Sequence, residues 1–546
     1  MMRKKRNSKK RKRRKRDSRS HVSSPISLCM IVKNEEKYLD ECLSSVQGLV
    51  GEMVVVDTGS TDRTVEIARR HGARVFHYQW QNDFARARNF ALSHCSLPWV
   101  LYLDADERLF PEYHRKVLDA VRRNKADAFY VKVLSPVSER MGNVPHEQAY
   151  PRLFRKMPGV QFEGKIHEQI SPSLIRQQAK FAHLDVTILH LGYNLDEEAI
   201  QKKIERNLSY LREQLREEPD NPYVYFQLGQ TLILNRQPEE GRQHLHKALA
   251  LGTLPNNLTA TIWLILANED YKEKQYTAAL EKIDTALQIA PVQRLGYFLQ
   301  SECLAHLQRY SEALMALQKL EQYSYESFSN ISIDKTFEKY IIAQRKGSYH
   351  FALGQWEEAY YAYSEYFKTS THWRSELLEK WVYAWNQSQP HPQIPREFLQ
   401  LLLQNFDRFN HPVQAAKLLA GLCEQSGYRT LMEQFLWLHV HHDPHDAVPY
   451  YYLGNLELER GNFEKAENYY RQALQHEENV WEIYYNLVVV YIKKQDFVSA
   501  MKLLESALEK FPEKRVQNRR LLAGLYTKLG YFEKALEYAV SLQREK

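Results

Sequence analysis

Two carboxylates separated by one alanine, Asp104-Ala105-Asp106, follow directly on the apolar run Trp99-Val100-Leu101-Tyr102-Leu103. The small spacer lets both acids turn toward the end of the strand that this run predicts. Hard oxygen ligands of this kind suit Mg2+ or Mn2+, held by few protein groups and completed by phosphate oxygens. A cation there would neutralise charge building on a departing diphosphate. The competing reading is an acidic turn or helix cap ahead of Leu109-Phe110-Pro111. Further polar residues weigh against it: Asn34 and Glu35 follow the run Ile26 to Val32, and Asp57 ends the run Glu52 to Asp57. Any one of these is a common turn residue. Three strand ends carrying such groups point to a site.

The elements that must position them alternate. Short apolar runs (26–32, 52–57, 74–78 and 99–103) read as strands, and amphipathic stretches through Leu39, Leu43 and Val46, through Val65, Ile67 and Ala68, and from about Asp83 to His94 read as helices. This rhythm predicts an α/β domain with a mostly parallel sheet and right-handed crossovers. Ligands of such sheets bind beyond the carboxyl ends of the strands, where the acids fall.

Residues 25–193 carry the blocks SLCMIVKNEEKYLDECLSSV, VVVDTGSTDRT, WQNDFARARNFAL and WVLYLDADERL. In that order they resemble the family 2 glycosyltransferases of GT-A fold, and the whole chain resembles bacterial members that add C-terminal tetratricopeptide repeats. The resemblance implies an inverting transfer of a sugar from a nucleotide-diphospho-sugar, a UDP-sugar by expectation, with a divalent cation. It implies that Val32, Glu35 and Asp57 line the nucleotide pocket, with Asp104 at the ribose and Asp106 on the metal. Arg88 would face the base or diphosphate, and a guanidinium suits phosphate oxygens. In VQFEGKIHEQI, Glu168 takes the place of the catalytic base, with His167 as the alternative or its orienting neighbour. His190, in ILHLGY, would complete the metal site. Its competing reading is a buried, hydrogen-bonded core histidine. His167-Glu168 does not have HExxH spacing, so a zinc protease is excluded. Arg152 and Arg155 offer charge for the diphosphate or simply edge a strand.

From about residue 195 the strand signal gives way to a repeat. Leu453, Phe463, Ala466 and Ala473 recur 34 residues on as Leu487, Phe497, Ala500 and Ala507, and again as Leu522, Phe532 and Ala535 after 35. Tyr276, Ala279 and Ala286 precede Tyr310, Ala313 and Leu320 by 34. A 34-residue period with small residues at helix crossings is the tetratricopeptide pattern, about seven helix pairs, weakest at 370–440. Such a solenoid suits an extended peptide or partner helix, so a peptide or protein acceptor is expected there. His439, His441, His442 and His445 with Asp443 could bind a metal, but a linker is the favoured reading.

The formal charge of +8 conceals an asymmetry. Residues 1–20 hold 13 Lys or Arg and one Asp, so subtracting their +12 leaves −4 on the other 526 residues. The segment 1–22 therefore reads as a disordered cationic arm for an anionic membrane surface or polymer. It lacks aromatics for base stacking, which disfavours nucleic acid. Five scattered cysteines without a CxxC pair suit a reducing cytoplasm. No apolar run of about 18 residues predicts a spanning helix. The expected domains are thus the arm, a catalytic domain over 23–194 and repeats over 195–546. The rival from another class is a repeat scaffold whose catalytic domain no longer turns over.

Overall fold

The computed structural model describes residues 24–135, 146–191, 197–323, 332–333 and 335–544. The cationic arm over 1–22 lies outside the described residues. Compactness divides the chain into Met1–Glu338 and Lys339–Lys546. The first unit therefore includes the opening repeats as well as the sheet.

In the first unit the order is β1 (Ile26–Val32), α1 (Leu39–Ser45), β2 (Glu52–Asp57), α2 (Thr64–Arg70), β3 (Arg74–His77), α3 (Phe84–His94), β4 (Trp99–Tyr102), β5 (Glu107–Leu109), α4 (His114–Arg123), β6 (Ala128–Ser135), β7 (His146–Arg155), α5 (Ser171–Arg176), β8 (Phe181–His190) and α6 (Glu197–Glu217). The sheet runs β3-β2-β1-β4-β7-β6-β8-β5, and a short strand β9 (Ser332–Ile333) adds to β7. Side chains alternate across it as a period of two requires. Leu28, Met30, Val55 and Leu101 pack on the face covered by α1, α2 and α4, whereas Cys29, Val54, Val56 and Val100 pack on the face of α3. Both faces are buried, which is why these strands read as continuous apolar runs.

The expectation of a mostly parallel sheet holds for only half of it. β3, β2, β1 and β4 are parallel neighbours, but β7 is antiparallel to β4 and β6, and β5 is antiparallel to β8. After Asp106 the chain continues as the three-residue β5 and the longer β6, β7 and β8, in which β6 and β8 are parallel to each other while β7 and β5 run antiparallel to their neighbours. This has a direct consequence for the acids. β5 pairs Glu107 with His190 at the end of β8, which brings Asp106 and His190, 84 apart in sequence, to one sheet edge.

The repeat helices pair in succession. In the first unit Pro222–Leu234 packs on Pro238–Leu251, Asn256–Lys272 on Tyr276–Ile289, and Arg294–His306 on Tyr310–Gln322. In the second, Pro412–Gln425 packs on Arg429–His442, Ala447–Glu459 on Phe463–His476, Trp481–Lys493 on Phe497–Lys510, and Arg515–Lys528 on Phe532–Arg544. With the helices between residues 335 and 404 this makes more pairs than the seven expected. Ala279, Ala286, Ala466, Ala473 and Ala500 are fully buried at the crossings, as the period demands. Gly454 has the same cause in sharper form, since a Cβ there would stand 2.6 Å from the Tyr470 ring. The stretch 370–440 is helical too, but Arg396–Gln404 is short and the 3-10 turn Phe406–Arg408 follows it. Its core is aromatic, built on Trp373, Trp381, Phe367 and Phe409, so the small-residue template does not find it. No helix among the described residues is long and apolar enough to cross a membrane.

Candidate active site

The acids converge beyond the carboxyl ends of β1, β2 and β4. β4 ends at Tyr102, and the backbone turns at once: the Asp104 amide donates to Glu107 Oε2 at 2.9 Å and the Glu107 amide to the Asp104 carbonyl at 3.0 Å. This tight turn holds Asp104, Asp106 and Glu107 close together. The Asp106 carboxylate lies 3.1 Å from His190 Nε2, and the opposite ring nitrogen, Nδ1, lies 3.1 Å from Ser135 Oγ. A histidine fixed at one nitrogen and facing a carboxylate with the other is the usual arrangement of an oriented ligand. Burial opposes charge on His190, but the hydrogen bond to Asp106 and the neighbouring acids outweigh it and raise its pKa.

Two buried arginines balance part of this negative charge. Arg88 of α3, 5% exposed, donates from Nε to Glu168 Oε1 at 2.7 Å and from Nη2 to Asp104 Oδ1. Arg152 of β7 donates from Nη2 to Glu107 Oε1 at 2.6 Å and stands 3.7 Å from Asp104 Oδ2. Both guanidiniums lie over the Tyr102 ring, at 5.2 and 4.4 Å from its centroid. Burial would raise the Asp104 carboxyl, yet Arg88 and Arg152 hold it well below the usual range. Glu107, 1% exposed, goes the other way. Burial and the Asp104 charge push it up to about 7 against the pull of Arg152. Glu35 likewise rises to about 7, from burial and from the charges of Asp106, Asp104 and Asp62. The site thus carries more negative charge than its two arginines neutralise.

Asp104, Asp106, His190, Arg88 and Glu168 therefore form one connected cluster, with Glu35 in its field. The other expected residues stand differently. Val32 and Asp57 pair at the ends of β1 and β2, but the Asp57 carboxylate accepts from the Ser60 amide at 3.1 Å and the Gly59 amide at 3.3 Å, and meets His77 Nδ1 at 3.2 Å. Its first task is closing the Thr58-Gly59-Ser60 turn. Arg88, expected to face the donor, has its fork committed to two carboxylates, and among the described residues its Nη1 has no hydrogen-bond partner. His167 is exposed and takes a left-handed backbone, φ 54°. Glu107 and Ser135 were not singled out from sequence. Glu107 stood in plain view next to Asp106, whereas Ser135 acquires meaning only through β6 lying beside β8.

The segment bearing Glu168 is braced from the repeat side of the same unit. Ile166 is buried with Leu208 and Leu211 of α6 and with Val224, Leu228 and Leu232 of the next helix. Lys165 Nζ reaches Glu217 at 2.6 Å, and Gln169 Nε2 donates to the Tyr223 hydroxyl at 2.6 Å.

Residues present fit a divalent cation. Asp106 Oδ2 and His190 Nε2 offer one oxygen and one nitrogen side by side, amid uncompensated negative charge that a cation would relieve. Among the described residues no three His, Cys, Asp or Glu side chains converge to enclose an ion alone. The donor set is therefore of the open kind that substrate oxygens complete.

An acid-rich cluster at the strand ends of a half-parallel sheet, followed by paired-helix repeats, is the arrangement of a GT-A-type transferase domain joined to a solenoid. Residues 27–184 match the model of glycosyl transferase family 2, and residues 264–327 and 457–525 match tetratricopeptide repeat models. A TPR repeat-containing protein of Synechococcus elongatus is 32% identical over 52% of this chain and 71% of its own length. The SPbeta prophage-derived glycosyltransferase SunS of Bacillus subtilis is 31% identical over 41% of this chain and 54% of its own. The lipopolysaccharide core biosynthesis glycosyltransferase LpsC of Rhizobium meliloti is 31% identical over 27% and 57%. The chain thus spans little more than half the length of these two glycosyltransferases. It carries a glycosyl transferase family 2 domain followed by tetratricopeptide repeats.

Proposed function

We propose that the chain transfers a sugar, with inversion, from a nucleotide-diphospho-sugar, UDP-linked in the first instance, to a peptide or protein acceptor. The observation that carries this reading is the Asp106–His190 contact at the end of β4, within an excess of acid. Asp106 and His190 hold Mn2+ or Mg2+. When bound, that cation stabilises negative charge on the leaving diphosphate. Val32, Glu35 and Asp57 line the nucleotide side, and Asp104 meets the ribose. Glu168 accepts the proton of the attacking acceptor atom, and its approach is set by the Arg88 hydrogen bond. His167, exposed beside it, is the alternative base. Arg88 acts as a positioning residue, aligning Glu168 with Asp104. The repeats present the acceptor, and the arm over 1–20 attaches the cytoplasmic enzyme to an anionic surface.

The test is release of nucleotide from a panel of nucleotide-sugars with Mn2+. Asp106→Asn should abolish release while leaving the fold intact. Equal release by this variant would remove the metal role. The scaffold reading makes the opposite forecast: no nucleotide released from any donor, and Asp104 and Asp106 both dispensable.

A further inference from the structure

The second unit contains a cavity of about 570 Å3, lined by residues of three successive repeats from Lys417 to Ile483. Such a volume falls in the range, roughly 300–1,000 Å3, of pockets that enclose ligands. Two features show a space kept for something outside the fold.

The first is His439, wholly buried in the last turn of helix Arg429–His442 and lining the cavity. Its Nε2 lies 2.9 Å from Asp446 Oδ2, but among the described residues neither ring nitrogen completes a hydrogen bond. Buried polar groups left in this state are rare, because each forfeits its hydration without replacement. The second is Gly421, in the interior of helix Pro412–Gln425, where glycine costs about 1 kcal/mol relative to alanine. At Gly454 close neighbours force the glycine, whereas a Cβ on Gly421, as on Gly524 of helix Arg515–Lys528, would meet nothing within 4 Å. No neighbour in the chain requires this glycine, and the open space beside it belongs to the cavity lining.

Charge selects the occupant. Glu424, Asp446 and Glu477 face the cavity against the single cation Lys417. An anion would be repelled, and a purely apolar group would strip water from carboxylates without repaying them. Tyr451 and Tyr452 add ring faces that attract a cation.

We propose that this cavity receives the basic side chain, lysine or arginine, of an extended polypeptide. Its ammonium or guanidinium group meets Glu424 and Asp446, the second of which also faces His439 Nε2. Lining drawn from three repeats suits a side chain carried on a longer strand of chain. The protein-acceptor reading above is invoked only for the ligand being polypeptide.

The test uses the full chain and fluorescence polarisation. The probes are labelled Gly/Ser peptides whose central residue is Lys, Arg, norleucine or Glu. Lys and Arg peptides should bind at least about tenfold more tightly than the other two, a gap of one close charge contact. Gly421→Leu, which projects into the open space, should cut that binding about tenfold or more. Circular dichroism melting should show its fold retained. Equal binding of the Glu peptide, no binding of any peptide, or binding unaffected by Gly421→Leu would overturn the proposal. Asp106→Asn should bind the Lys peptide as the native chain does, so failure of the catalytic reading and failure of this one are read separately.

Discussion

Replacing Arg88 with methionine keeps the apolar cover over Tyr102 and Phe162 but removes the guanidinium from between Glu168 and Asp104. The two acids do not suffer equally. The Glu168 side chain is 13% exposed and loses an ion pair at 2.7 Å, whereas that of Asp104 is 39% exposed and keeps Arg152 at 3.7 Å. Breaking a buried pair costs about 3–5 kcal/mol, and the Asp104 half is discounted for solvent. The expected loss is therefore about 3 kcal/mol, about a hundredfold in an opening equilibrium. Hydrogen exchange of the amides in α3, Phe84–His94, reads it directly, since they report opening of the helix that carries Arg88. Arg88→Met should lower their protection by that factor. Adding Glu168→Gln should cost less than the sum of the two single changes, with a coupling of about 1–3 kcal/mol. Unchanged protection in α3, or strict additivity of the pair, would refute the assignment of Arg88 as the group that positions Glu168.

Four further outcomes follow from particular contacts. His190→Gln should raise the Mn2+ concentration for half-maximal nucleotide release about tenfold or more, measured by metal titration. Gly454→Ala drives a methyl into the Tyr470 ring and should destabilise by about 1–3 kcal/mol in a urea melt. Gly421→Ala, facing open space in a helix, should instead stabilise by about 0.5–1 kcal/mol in the same measurement. Trp381, fully buried with its indole N–H on Ser364 Oγ at 2.8 Å, should cost about 3–5 kcal/mol on truncation to alanine.

The strands β1 to β4 and the acids at their ends were legible because both faces of that half-sheet are buried, so each strand is one apolar run closed by a polar residue. The antiparallel half was not. β5 is only three residues long, and β7 includes the exposed Tyr150, Pro151 and the scattered charges Glu147, Arg152 and Arg155, so neither carries a clear period. That loss hid Ser135 and the partnership of Glu107 with Arg152, which depend on which strands lie side by side. Repeats with Ala at the crossings announced themselves by spacing. Those built on Trp373 and Trp381 fill the same space with one large side chain in place of two small ones, and their spacing drifts. His439 shows the limit of composition: a run of histidines reads as one cluster, but the helix buries one and exposes His441 and His442.

The brace beneath Glu168 bears on how this architecture can be cut and recombined. A fragment ended where the glycosyltransferase match stops, at residue 184, would keep every cleft residue but His190 and lose the Leu208, Leu211 and Val224 floor on which Ile166 rests. Chimaeras that graft a foreign solenoid onto this domain should retain the native chain through Leu234. Modularity here begins one helix pair later than the change of sequence period suggests.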